Sequence, residues 1–297
     1  MSHLFARSLK GAAVLAAGAL ALSACGGSSE TAAAAGTAED PIRIGVVTAA
    51  EPYWELFSDL AEAEGIHVEF VNFTDYQLPN QGLADGDLDL NQFQHLQFLA
   101  GYNVNADQDL TPIGATAVYP LGLYSKKHAS VDDIPEGGEI AIPNDQTNQA
   151  RALLVLQEAG LISLEGGGNS FSTPADILAE ESRVTVTPVD AAQTPLALND
   201  VDASIINNDW VGKADLTAED AIFSDDPNSA AAAPYINVFV ARAADADNEK
   251  FAKLVELYHD PEVEASVQET AGGTAAFLNN DPAELQAILA EIEANIE

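Results

Sequence analysis

The chain has 297 residues, with 47 acidic side chains against 11 basic ones and a formal net charge of −36 at pH 7. So large an acidic excess excludes nucleic-acid binding, because the surface would repel phosphates. The single cysteine excludes a disulfide framework. The five histidines are scattered without the spacing of a zinc site, so we expect no metal and no cofactor.

The first 24 residues have the pattern of a secretory signal peptide. Arg7 and Lys10 precede an apolar run over 11–22, and small residues follow it directly before Cys25. The run is too short for a comfortable transmembrane helix, which needs about 20 apolar residues. The tetrapeptide ending at Cys25 resembles the lipobox of bacterial lipoproteins. We therefore predict a lipid anchor on Cys25 and a place on the extracytoplasmic face of the cell membrane; the alternative is an ordinary signal peptide with a chance cysteine.

Residues 25–40 predict a flexible linker, because they are small or polar and lack apolar periodicity. A folded body follows from about residue 41, and its length is typical of two lobes or of one large α/β unit. Without the signal peptide the chain keeps 9 basic and 47 acidic residues, a formal charge of −38. This charge predicts a strongly hydrated, soluble body.

Strand and helix patterns alternate along this body. The β-branched run 42–47 predicts a strand, the apolar spacing over 53–64 predicts a helix that ends at Gly65, and 67–71 predicts a second strand. Strand–helix–strand is the unit of a parallel sheet. Further predicted elements are strands at 139–143, 183–187, 203–206 and 235–241, a helix at 148–159 before Gly160, and two or three amphipathic helices after Asn248.

Strands at both ends of the chain enclose a middle block of their own. We therefore predict an α/β fold of two lobes, in which residues 41–118 and 238–297 form lobe 1 and residues 119–237 form lobe 2. In such folds ligands bind at the carboxyl ends of the strands, which here face the cleft between the lobes.

Several segments, taken in order along the body, resemble the methionine-binding NlpA/MetQ lipoproteins. The matching stretches are 73–80, 86–89, 91–95, 118–120, 124–127 and 143–151. The resemblance implies a periplasmic-binding-protein-like (type II) fold. It also implies an extracytoplasmic solute-binding lipoprotein of an ABC importer, which delivers L-methionine or a similar amino acid to a permease and its ATPase.

The same resemblance implies a set of ligand-binding residues. They are Tyr76, His95, Phe98, Tyr119, Asn148, Arg151, Asn207 and Asn237. A free amino acid presents a carboxylate, an ammonium group and a side chain, and the residue types in this set suit all three.

The carboxylate of the ligand is assigned to Arg151. This residue lies one turn after Asn148 on a predicted helix that either Asp145 or Thr147 can cap. Helix N-termini attract anions, and arginine binds a carboxylate through two parallel hydrogen bonds. The alternative is that Arg151 pairs with one of the many acidic side chains at the surface.

The ammonium group is assigned to Asn207, which ends a predicted strand, and to Asn237 in the returning strand. The alternative for Asn207 is a turn-forming role, because the sequence Asn-Asn-Asp favours turns.

The thioether is assigned to Tyr76 and His95, since sulfur makes favourable contacts with aromatic rings. Tyr119 can close the pocket. Phe98 follows His95 at helical spacing and either lines the cleft or packs in the core; members of the family often have tyrosine there, which leaves the fine ligand preference open. Core packing is the favoured interpretation for Trp54.

Two alternatives for the function stay open. The same fold can bind another apolar amino acid or a methionyl dipeptide, or the chain can be a surface lipoprotein without a transporter. We do not expect an enzyme, because no nucleophile and base stand at a recognisable spacing. The segment 85–89 resembles a calcium loop only faintly, because Leu90 and Leu96 stand where such loops have glycine and glutamate.

Overall fold

The computed structural model describes residues 35–296; the predicted signal peptide, Cys25 and most of the linker lie outside this range. Within it the chain forms twelve strands: β1 (Ile42–Val46), β2 (Val68–Asn72), β3 (Leu90–His95), β4 (Thr111–Ala115), β5 (Ala117–Val118), β6 (Gly122–Tyr124), β7 (Gly138–Pro143), β8 (Val184–Val189), β9 (Ala203–Ile206), β10 (Phe223–Ser224), β11 (Asn237–Ala241) and β12 (Ala276–Phe277).

Nine α-helices complete the same range: α1 (Pro52–Ala63), α2 (Pro79–Ala84), α3 (Leu96–Ala106), α4 (Gln146–Glu158), α5 (Thr194–Ala197), α6 (Asn208–Val211), α7 (Glu249–Tyr258), α8 (Pro261–Thr270) and α9 (Pro282–Glu293). In this part of the chain no helix has the length and hydropathy that a membrane span requires. Three helices follow Asn248, which agrees with the sequence pattern.

The strands assemble into two five-stranded sheets and a two-stranded ribbon. The first sheet has the order β2-β1-β3-β11-β4, and the second has the order β10-β6-β9-β7-β8. In the first sheet β1 pairs in parallel with β2 and β3, as the strand–helix–strand pattern predicts. Strand β11 runs antiparallel between β3 and β4, so it joins two strands that do not pair with each other.

Helix α1 illustrates how the local sequence sets this architecture. Pro52 occupies the first turn, where its missing N–H costs nothing, and Gly65 follows the helix with a φ of +75°, a conformation that glycine adopts without strain. Its apolar face buries Trp54 and Phe57 in the core of the first sheet, at exposed fractions of 1% and 0%. The core interpretation of Trp54 is confirmed.

Strand β3 has no counterpart among the predicted elements, although all six of its residues are buried. Asn91 and Gln94 of this strand form a closed amide network with Asn80 on α2, in which Asn80 Nδ2 donates to Gln94 Oε1 at 2.7 Å and Asn91 Nδ2 donates to Asn80 Oδ1 at 2.9 Å. Hydrogen bonds of this kind make buried polar side chains tolerable. The strand therefore lacks the apolar pattern by which strands are recognised in a sequence.

Helix α4 starts two residues before its predicted beginning. The Asp145 side chain caps it by accepting the N–H of Asn148 at 3.0 Å. Thr147 lies inside the helix, and its hydroxyl donates to the same carboxylate oxygen at 3.2 Å. Of the two capping candidates the structure selects Asp145.

Candidate functional site

The eight residues assigned to ligand binding lie around one small cavity. They come from separate parts of the chain: the β2–α2 loop, the β3–α3 junction, the β5–β6 connection, the start of α4, the end of β9 and the start of β11. The full lining is Tyr76, Phe93, Gln94, His95, Phe98, Tyr119, Asn148, Arg151, Asn207, Asn208, Asp209 and Asn237. The cavity has a volume of about 20 Å³, enough for one water molecule, so an amino acid enters only if its walls move apart.

Arg151 is buried, and two of its guanidinium nitrogens are hydrogen-bonded. Its Nε donates to Asp225 Oδ2 at 2.8 Å, and its Nη2 donates to Asp225 Oδ1 at 3.2 Å and to the carbonyl oxygen of Tyr119 at 2.8 Å. The guanidinium carbon lies 4.2 Å from the centre of the Tyr235 ring. Asp225 also accepts the backbone N–H of Leu121 at 2.8 Å. These contacts fix Arg151 to the β5–β6 connection.

Arg151 therefore does pair with an acidic side chain, as the alternative interpretation of this residue states. The acid is not a surface residue, since the Asp225 side chain is only 20% exposed. The Arg151 Nη1 atom makes no hydrogen bond to any residue from 35 to 296. The start of α4 differs from the expected open anion site, because the carboxylate of Asp145 already accepts an N–H of its first turn.

The Asn148 side chain connects three other residues. Its Oδ1 accepts hydrogen bonds from His95 Nε2 at 3.3 Å and from Asn207 Nδ2 at 2.8 Å, and its Nδ2 donates to Asp145 Oδ1 at 3.0 Å. His95 Nδ1 accepts the N–H of Phe98 at 3.1 Å, so the proton of the imidazole is on Nε2. Burial and the nearby Arg151 guanidinium lower the pKa of His95 to about 3. The ring is therefore a neutral wall of the cavity at ordinary pH.

Asn207 has an unused acceptor. It directly follows β9, and its Nδ2 is bound to Asn148. Its Oδ1 is buried and accepts no hydrogen bond from the described part of the chain. A buried acceptor without a donor is costly, so a role limited to the turn does not account for this side chain. Asn237 also lines the cavity, and it is paired with His95 in the register of the first sheet.

Aromatic rings form the apolar wall. The Tyr76 ring lies 6.0 Å from Phe93, 6.1 Å from Phe98 and 5.6 Å from Trp210, measured between ring centres. Phe98 is partly buried in this cluster and also lines the cavity, so both interpretations of Phe98 hold. Phe93 was missed in the sequence because it lies on the unpredicted strand β3.

Two acidic residues of the site, Asp209 and Asp225, were also missed. Asp209 Oδ2 accepts the hydroxyl of Tyr76 at 2.7 Å, and Asp225 holds Arg151. The sequence contains 47 acidic residues, and nothing in the local pattern distinguishes these two. Asp209 stands close after the predicted site residue Asn207, which was the only available signal; Asp225 has no predicted site residue near it along the chain.

A larger cavity of about 640 Å³ adjoins the small one. The residues that line both are Phe93, Tyr119, Asn208, Asp209 and Asn237. The larger cavity also contains Glu51 and Lys213. Across the described residues, no group of three or more His, Cys, Asp or Glu side chains is arranged to hold a metal ion. The site offers a guanidinium, a carboxylate, amide groups and aromatic rings, which suit a small zwitterion with an apolar side chain.

Comparison with known proteins places these features in context. Residues 42–277 match the family model of the NlpA lipoproteins. The D-methionine-binding lipoprotein MetQ of Salmonella typhi is 36% identical over 265 residues, which cover 87% of this chain and 93% of that protein.

Solved structures of methionine-binding and methionine-transport proteins are similar to this chain in sequence and in fold. The substrate-binding protein of a methionine transporter from Streptococcus pneumoniae is 36% identical, with a TM-score of 0.74 over 80% of this chain and 95% of that one. A nutrient-binding protein from Burkholderia cenocepacia, solved bound to methionine, is 36% identical, with a TM-score of 0.73 over 80% of this chain and 99% of that one. These similarities confirm the predicted fold class.

Proposed function

Because this chain belongs to the NlpA lipoprotein family, we propose that it is the substrate-binding lipoprotein of an ABC importer and that its ligand is methionine. The observation that carries the proposal is the convergence on one cavity of all eight side chains that the family resemblance implied. Relatives with the same fold are named for methionine binding or transport. The chain is accordingly a binding protein and not an enzyme.

Each part of methionine has a matching group in the site. The Nη1 side of Arg151 faces the ligand carboxylate, and the Oδ1 atom of Asn207 accepts from the ammonium group together with Asn237. The rings of Tyr76 and Phe98 enclose the thioether, where sulfur–aromatic contacts contribute about 0.3–1.5 kcal/mol each. His95, Asn148 and Tyr119 shape the remaining walls.

We propose that the ligand enters by separation of two lobes. Residues 41–118 and 238–297 carry the first sheet apart from Asn237, the first residue of β11, and residues 119–236 carry the second. The chain crosses between the sheets near 119–123 and 233–238, which makes these two segments the hinges. A cavity of about 20 Å³ then corresponds to closed walls, and opening at the hinges admits a larger molecule.

A methionyl dipeptide or another apolar amino acid is the second candidate ligand. The larger cavity of about 640 Å³ beside the site favours the dipeptide, because it offers space for a second residue without disturbing the aromatic wall.

Titration calorimetry of the purified protein, unfolded and refolded to remove any copurifying ligand, tests the proposal. We expect one methionine to bind per chain and to raise the melting temperature, because a ligand that binds only the folded state stabilises it. Both enantiomers and a methionyl dipeptide serve as comparison ligands. Absence of heat and of a thermal shift with millimolar methionine would contradict the function.

The lipoprotein family implies a membrane-associated, extracytoplasmic location, and we propose Cys25 as the anchored residue. A single acyl chain holds a protein only reversibly, so stable attachment needs more than one chain. The segment 26–40 then acts as a tether that lets the acidic body reach the permease and its ATPase.

Replacing Cys25 by serine is expected to move the protein from the membrane fraction to the soluble fraction of disrupted cells, because serine offers no thiol for acylation. Methionine affinity should stay unchanged, since the substitution lies outside residues 35–296, which contain the cavity. Immunoblotting of the two fractions measures the distribution. A Cys25→Ser protein that remains in the membrane fraction would show that another feature attaches it.

A further inference from the structure

Asp209 lies where the two cavities meet. It belongs to α6, directly after β9, and lines both the small and the large cavity. Its Oδ2 accepts the hydroxyl of Tyr76 at 2.7 Å, and its Oδ1 accepts Asn208 Nδ2 at 2.9 Å. Asp209 is half-buried, and its side chain borders both cavities.

The carboxylate of Asp209 has no cationic partner. None of the ion pairs formed between residues 35 and 296 includes it. The side chains that act on it electrostatically are Glu51, Tyr53, Tyr76, Tyr119 and Tyr258, and Lys213 lines the same large cavity. Burial is the main cause that raises the pKa of Asp209 to about 6, and Glu51 adds to the increase.

The site therefore has an excess of negative charge. Arg151 is already paired with Asp225, so its positive charge is largely offset before any ligand arrives. Asp209 is an additional, unpaired negative charge at the wall that it shares with Asn207, whose Oδ1 lacks a donor. An isolated buried carboxylate is costly unless a cation joins it. The site is thus complementary to a cationic group at this wall.

We propose that Asp209 is the charged acceptor for the ligand's α-ammonium group, with Asn207 Oδ1 as the neutral acceptor beside it. The inference rests on the proposed function. It adds the residue because of which a ligand must carry an ammonium group to bind tightly. The competing role is purely structural, in which Asp209 only holds Tyr76 and thereby joins the two sides of the cavity.

A ligand–mutant cycle separates these roles. Wild-type protein and the Asp209→Asn variant are each titrated with methionine and with 4-(methylthio)butanoate, which lacks the amino group. We expect wild type to prefer methionine by about 10- to 100-fold, the range typical of a charge-assisted hydrogen bond. The variant should lose most of this preference, because asparagine keeps the size and the Tyr76 contact but not the charge.

The control variant is Glu269→Gln, which removes one negative charge from the large cavity at a residue that does not line the small one. It should keep the wild-type preference. Equal preference for methionine in wild type and in Asp209→Asn would overturn the inference while leaving the proposed function intact. Failure of wild type to bind methionine would overturn both.

The pH dependence of methionine binding to the wild-type protein is a second test. Only ionised Asp209 attracts an ammonium group, so methionine affinity should fall as the pH is lowered through about 6 and should be nearly constant between about 7 and 8, below the range in which the ligand's own ammonium group loses its proton. At pH 6 binding should release about half a proton per ligand, measured by calorimetry in buffers of different ionisation enthalpy. His95, with a pKa of about 3, does not titrate in this range.

Asp145 also has a raised pKa through burial, so the Asp145→Asn variant must show the same proton release for the assignment to stand. Loss of the release in Asp145→Asn, or its persistence in Asp209→Asn, would overturn the inference.

Discussion

Replacement of Arg151 by alanine is expected to weaken methionine binding by about 2–5 kcal/mol, or about 30- to 5,000-fold in affinity. The reason is that a carboxylate in the cavity would lose its only arginine partner and stay buried. Titration calorimetry at a fixed salt concentration measures the loss. No other single substitution in the site should reduce the affinity as strongly.

The contacts of Arg151 add a second effect. Alanine also leaves Asp225 without its cation, although Leu121 still donates to it. We therefore expect the free energy of unfolding to fall by up to about 3 kcal/mol. Affinities must be compared at a temperature where circular dichroism shows that both proteins are folded.

Two further variants sharpen the result. Arg151→Lys keeps the positive charge but not the planar pair of donors, so its affinity should lie between those of wild type and Arg151→Ala. Arg183→Ala removes an arginine that contacts Ile134 and Glu136 away from the cavity, and it should bind methionine normally. Normal binding by Arg151→Ala would mean that the ligand carboxylate is held elsewhere.

Replacement of Trp54 by alanine should lower the free energy of unfolding by about 3–5 kcal/mol. The Trp54 ring lies 5.6 Å from Phe57, 4.7 Å from Phe70 and 5.9 Å from Tyr258, measured between ring centres. Its Nε1 donates to Thr48 Oγ1 at 3.2 Å. Urea unfolding followed by circular dichroism measures the loss.

The other tryptophan of the chain is the matched comparison. Trp210 packs on Tyr76 in the aromatic wall, so Trp210→Ala should reduce methionine affinity. Trp54→Ala should leave the affinity of the folded protein unchanged, because Trp54 lines neither cavity. A clear loss of affinity in Trp54→Ala, measured where the protein is fully folded, would show that packing in the core of the first sheet affects ligand binding.

Elements with an apolar pattern were predictable from the sequence. The strand at 203–206 has the predicted bounds, and the first helix begins one residue earlier than predicted. The strand β3 was not predictable, because Asn91 and Gln94 face a hydrogen-bonded polar interior instead of an apolar one. Periodicity detects burial of apolar side chains and gives no sign of a strand whose buried groups are amides.

The site, like the fold, was only partly predictable from the sequence. Resemblance to a family supplied the identities of Arg151, Asn207 and Asn237, but not the contacts among them. The pairing of Arg151 with Asp225 joins residues 74 positions apart, and such a contact depends on the fold of the second sheet. Asp209 could not be distinguished from the other acids, because its importance comes from its position at the cavity wall.

The place of β11 in the first sheet has a consequence for the order of folding. Strand β4 ends at Ala115 and β11 begins at Asn237, yet within residues 35–296 β11 is the only strand that joins β4 to β3. An exported chain must therefore emerge almost completely before this sheet can close, and such long-range pairing is slow. Until then β3 and β4 present unpaired edges, which are templates for aggregation. The formal net charge of −36 of the chain repels neighbouring copies during that interval, so we expect the acidity to limit aggregation before the sheet closes.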